Sequence, residues 1–229
     1  MLIGKGNAKQ NKDDFNEEVD FMGATMSFSS QGGYADSLSR YYERILTMFS
    51  QSTLSPSFLE GEFNQQKNIL FDNLKNNEKN TPSIARRVEN VIAYGVSHPY
   101  GEFISNESLE NVKLDDVINF YEAYFKPNNA YLVIIGDVKI NETKKLVKKL
   151  FGKWKNDSKL ESKFSVNSSN NITNPKIPNY LNINVINMPN SSNSEITFQN
   201  LVDLKMSDKE YFSVLVANRI LGAGAESRL

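Results

Sequence analysis

Cysteine is absent from this 229-residue chain and histidine occurs once. The first absence excludes a disulfide framework, a thiolate zinc site and a cysteine nucleophile. The second excludes a metal centre built on several imidazoles of this chain. Charge of one sign is also missing: Lys+Arg total 26 against Asp+Glu 27, a formal net charge of −1. That balance excludes the strongly basic footprint of a nucleic-acid binder. No apolar run reaches the length needed to span a bilayer, and Met1-Leu2-Ile3-Gly4-Lys5-Gly6 holds no apolar signal core. What is present is 39% hydrophobic and 23% charged residues, enough to build a core and too much for global disorder.

Asparagine marks the one strong shift in composition. Eleven copies fall between Asn156 and Asn193, and Pro175, Pro178 and Pro189 lie in the same region. So little apolar surface cannot offset the entropy of ordering, and residues 156–179 read as a linker. It divides residues 1–155 from residues 180–229.

Helical spacing recurs upstream of the linker. Phe15, Val19 and Met22 share one face of a helix whose other face is acidic: Asp13, Asp14, Glu17, Glu18 and Asp20. The alternation 24–29, the pair Gly32-Gly33 and the run 34–39 predict a hairpin. Tyr42, Ile45, Leu46 and Phe49 predict the next helix. Ser55-Pro56 reads as the cap and first turn of a long helix with Phe58, Leu59, Phe63, Ile69, Leu70 and Leu74 as its buried side. Thr81-Pro82 opens a further helix and Gly95 stops it. Two short helical phrases and a helix over 114–125 come next. Tyr131-Leu132-Val133-Ile134-Ile135 reads as a buried strand, followed by a helix over 139–151 with four lysines outward. Beyond the linker, 181–185 and 195–198 alternate as strands and 211–221 is helical. Hairpin signals early in the chain place it in the α+β class.

Three phrases carry a resemblance. Tyr124-Phe125-Lys126-Pro127-Asn128-Asn129-Ala130-Tyr131-Leu132-Val133-Ile134-Ile135-Gly136-Asp137, then His98-Pro99-Tyr100-Gly101, then Leu221 to Leu229, reading L-G-A-G-A-E-S-R-L, together resemble the insulinase-type zinc metallopeptidases. That group, also called M16, includes pitrilysin and the mitochondrial processing peptidases. The resemblance implies a metallohydrolase fold in which antiparallel-rich sheets are covered by helices, with two homologous domains facing across a chamber. Residues 1–155 are then a nearly complete first domain without its metal-binding helix, and residues 180–229 the truncated start of a second. The resemblance also implies zinc held by an inverted H-x-x-E-H motif and by a Glu on a long downstream helix.

The chain departs from that pattern. It contains no H-x-x-E-H, and on Phe63 to Leu74 the two acidic positions of the family are filled by Gln66 and Asn73. An uncharged carboxamide is a poor ligand for a dication. Asp72 is adjacent, but one residue turns a helical side chain by about 100°. The expectation is therefore a degenerate site with no catalytic residue, no metal of its own and zinc only in active relatives. The function expected is that of a structural, chamber-forming half, whose partners are an active homologue and peptide substrate. Self-association is a further option. A fragment of an active zinc endopeptidase and a peptide-binding module without a protease partner are the alternatives. Exported relatives make a periplasmic or secreted location the expectation.

Other candidates have plainer readings. His98 before Pro99 reads as a hydrogen-bonding turn residue, the acidic face as solvated, and Arg86-Arg87 as surface pairing rather than a grip on a peptide carboxylate.

Overall fold

A computed structural model describes residues 2–4, 6–7, 9–155, 175, 181–189, 191–222 and 226–228. Its order is α1 (Lys12–Phe21), β1 (Thr25–Ser29), β2 (Gly32–Asp36), a 3-10 turn, α2 (Tyr42–Leu54), α3 (Glu60–Asn77), α4 (Thr81–Tyr94), α5 (Asn106–Asn111), α6 (Leu114–Tyr124), a second 3-10 turn, α7 (Ile140–Phe151) and α8 (Tyr211–Gly222). The described residues thus mix helices with one two-stranded antiparallel sheet, and the α+β reading holds at that level. The linker reading falls, except for Pro175, outside the described residues. The chain divides into two units: residues 1–76 with 104–171, and residues 77–103 with 172–229.

The core of the first unit follows directly from the helical spacing. The side chain of Asn11 accepts from the Asp14 amide at 2.9 Å, which caps α1 and satisfies one of its free N–H groups. Phe15, Val19 and Met22 then point one way and join Ile45 and Met48 of α2 in a single cluster, with Ala24, Met26 and Ala35 of the hairpin region packed against it. Met48 is fully buried. The hairpin pairs Met26 with Ala35 and Phe28 with Gly33. Gly33 is required by close approach, since a Cβ there would run into the rings of Phe28 and Phe49, which stack at 5.2 Å. Helix α7 packs on α2 and keeps Leu146, Val147 and Leu150 half-buried, with Lys144, Lys145, Lys148 and Lys149 exposed.

Several expectations are corrected. Ser55-Pro56 does not start a helix: the Ser55 amide donates to Gln51 at 2.9 Å, so Ser55 closes α2 and Pro56 bridges to Asn7. A serine can cap either end, and the continuing hydrogen bonds of α2 decide which. Helix α3 begins at Glu60 and has no buried residue; Leu59, Ile69 and Leu70 are exposed. The run 131–135 forms no strand, and Tyr131 is 98% and Ile135 92% exposed. Runs 181–185 and 195–198 are likewise exposed and form no strand among the described residues. A strand exists only through its ladder, and among the described residues β1 and β2 pair only with each other. Of the two short helical phrases, one forms, as α5.

In the second unit, Asn80 caps α4 by accepting from the Ser83 amide at 2.9 Å, and Pro82 sits in the first turn. Gly95 ends α4 with φ +84°, a conformation that excludes most other residues. The Gln199 side chain donates to the Glu89 carbonyl at 3.0 Å and so ties the 195–202 stretch to α4. Helix α8 forms as expected, and Phe212, Leu215, Val216 and Ile220 are all exposed.

Candidate functional site

Helix α3 carries both residues singled out as candidate ligand positions. Gln66 and Asn73 are seven residues apart, so they lie about 10 Å apart along the axis on nearly the same stripe. Gln66 is half-buried, in line with Phe63, Phe71 and Leu74, whereas Asn73 is exposed, as is Asp72. The helix is anchored at two places. Lys12 of α1 bonds Glu62 at 3.1 Å, and Lys67 donates to the Glu110 and Val112 carbonyls at 2.8 and 2.9 Å. The second contact sets an ammonium on the free carbonyls at the end of α5, where the helix dipole favours a cation.

This donor set does not fit zinc. Two carboxamides bring no negative charge to offset a dication. Among the described residues no group of three or more His, Cys, Asp or Glu side chains is placed to hold a metal ion.

The lone histidine is already committed. His98 is buried in the turn that follows α4, with its ring on Tyr94 at 4.9 Å and near Tyr100 at 5.4 Å. Its Nδ1 accepts the Tyr100 amide at 3.1 Å. Its carbonyl accepts the amides of Gly101 and Glu102 at 2.8 and 3.0 Å. The turn reading is correct, and the ring is in addition a packing element among tyrosines. Arg87 lies over the Phe103 ring at 3.8 Å, a cation–π contact. On the acidic face of α1, Asp14, Glu17 and Glu18 line a shallow hollow beside Phe21, and Glu18 is held by Arg44 and by Gln10. The hydrogen bond from the Arg44 guanidinium keeps the Glu18 carboxyl below the usual carboxylate range, against the opposing effect of burial.

Sequence reasoning missed Tyr121. It belongs to the amphipathic pattern of α6, yet its hydroxyl donates to the Thr53 carbonyl at 2.7 Å and its ring meets Phe58 edge-on at 5.3 Å. Burial, with a smaller contribution from the negative charge of Glu122, pushes its phenol up to about 12. The spacing Phe120, Tyr121, Tyr124 and Phe125 was the available signal, but it does not say which hydroxyl turns inward.

Comparison with known proteins follows from this geometry. The profile of the family domain described as Peptidase M16 inactive domain matches residues 111–229, just over half of the chain. The zinc protease PqqE of Helicobacter pylori is 28% identical over 118 residues, covering 50% of this chain and 26% of that protein. The crystal structure of a protease from Helicobacter pylori superposes with a TM-score of 0.61 at 22% identity, over 69% of this chain and 40% of that one. The chain therefore spans about a quarter of the curated relative and two fifths of the solved one. The solved structure shares the fold, and the length of the family match is decisive: the chain belongs to the M16 peptidase family.

Proposed function

We propose that this chain is a non-catalytic part of an insulinase-type peptidase assembly. In this reading residues 1–155 form a first domain whose metal site is degenerate at Gln66 and Asn73, residues 156–179 connect, and residues 180–229 open a second domain. The chain helps to enclose peptide substrate, and an active homologue supplies the zinc and the hydrolysis. One observation carries the reading: the α3 stripe offers two neutral carboxamides where zinc chemistry needs a carboxylate. The match to a domain described as inactive supports family membership and covers residues 111–229, downstream of Gln66 and Asn73.

A second reading, a fragment of an active zinc endopeptidase, is favoured by the name of the curated relative, a zinc protease. Asn73 counts against it, because that position lies inside this chain. Purification from the native host under low-salt conditions, with identification of what accompanies the chain, separates the two. The proposal expects a homologue carrying an intact H-x-x-E-H on another polypeptide. Recovery of the chain only as part of a single polypeptide with that motif and a working peptidase supports the fragment reading.

A further inference from the structure

Two outward stripes in the first unit match each other in spacing and oppose each other in charge. On α1, Asp13, Glu17 and Phe21 recur every four residues and are exposed, Phe21 by 79%, with Asp20 alongside. On α7, Ile140, Lys144 and Lys148 recur every four residues and are exposed, Ile140 by 67%, with Lys145 and Lys149 alongside. The inward sides of both helices are already used, by Phe15 and Val19 on α1 and by Leu146, Val147 and Leu150 on α7. The ion pairs of these helices consume other residues: Lys12 with Glu62, Glu18 with Arg44, and Lys139 with Glu142 at 3.3 Å. Among the described residues Asp13, Glu17, Lys144 and Lys148 have no such partner. With a formal net charge of −1, the segregation of charge, and not its total, is what these stripes express.

We propose that the chain self-associates by laying α1 of one copy antiparallel along α7 of another, with Asp13 opposite Lys148, Glu17 opposite Lys144 and Phe21 opposite Ile140. A four-residue step advances about 6 Å on either helix, so all three pairs come into register together. A parallel alignment sets Phe21 against Lys148 and Asp13 against Ile140, and loses the match. The antiparallel alignment also brings the N-terminus of each helix beside the C-terminus of the other, which the helix dipoles favour. A contact of this size, built on exposed ion pairs with one apolar pair, belongs to the weak and salt-sensitive class. It is heterologous, so it either closes as a two-fold pair making both contacts or extends head to tail.

Sedimentation velocity on the purified chain at about 100 μM, in about 20 mM and about 500 mM salt, tests this. The expected result is concentration-dependent association at low salt that disappears at high salt. Glu17→Lys and Lys144→Glu each weaken it by about tenfold or more, because each sets like charges face to face. The double variant carrying both restores it. Far-UV circular dichroism that is unchanged across the variants keeps folding out of the comparison. A chain monomeric at low salt overturns the proposal, as does association indifferent to the single reversals or unrestored in the double variant. Loss of binding to anionic vesicles in Lys144→Glu, with a monomeric parent, overturns it too and assigns the lysine face to lipid.

Discussion

Tyr121 and Glu18 give the chain two titrations of opposite sense. The Tyr121 phenol is raised to about 12 in the fold, against about 10 in an unfolded chain. Between those values the unfolded chain gives up its proton first, so this contribution is complete below about pH 10 and is lost as pH climbs through 12. Tyr121→Phe removes the bond to the Thr53 carbonyl and is expected to cost about 1–2 kcal/mol at neutral pH. Urea unfolding at pH 9 and near pH 11.5 should show a steeper alkaline loss in the parent than in Tyr121→Phe; equal slopes contradict the buried phenol. Glu18 works the other way. Its depressed carboxyl adds stability above the ordinary carboxylate range, and that contribution is lost as pH falls below it. Thermal unfolding of Glu18→Gln should therefore be less acid-sensitive than that of the parent, by a small margin because the pair with Arg44 is part-exposed.

At the scale of elements, what was legible divides along a physical line. The helices α1, α2, α4, α6, α7 and α8 were readable because their signals are local: the start at Thr81-Pro82, the stop at Gly95, and the spacing of Phe15, Val19 and Met22. The hairpin was readable for the same reason, its two strands being joined by a short turn. The runs 131–135, 181–185 and 195–198 were misread because apolar content specifies a strand only where a neighbouring strand completes the ladder. The site divides the same way. That Gln66 and Asn73 share a stripe follows from helical periodicity, but that α3 leaves Ile69 and Leu70 exposed depends on what packs beside it. Two truncations check this account. Met48→Ala should cost about 2–5 kcal/mol, since the side chain is fully buried. Ile69→Ala should cost under about 1 kcal/mol, with Ile69 45% exposed. Denaturant midpoints that reverse this order contradict the placement of the core between α1, α2 and the hairpin. Hydrogen exchange should likewise find the α2 amides far slower than those of 131–135.

For the whole molecule, the family is the M16 peptidases, and the donor set on α3 bears on the part played within it. Restoring one ligand type does not rebuild the centre: Asn73→Glu supplies a carboxylate, but the only histidine keeps its Nδ1 on the Tyr100 amide and its ring stacked on Tyr94. That variant is expected to gain neither tight zinc nor chelator-sensitive cleavage of a peptide library. In the proposed reading this chain holds no catalytic metal. The most direct measurement is zinc content per chain after purification without chelators and extensive dialysis, read by mass spectrometry on the parent protein. Well under about 0.1 zinc per chain is expected, with no metal-dependent rise in thermal stability. About one zinc retained per chain, removed only by strong chelator and accompanied by a fall in stability, contradicts it.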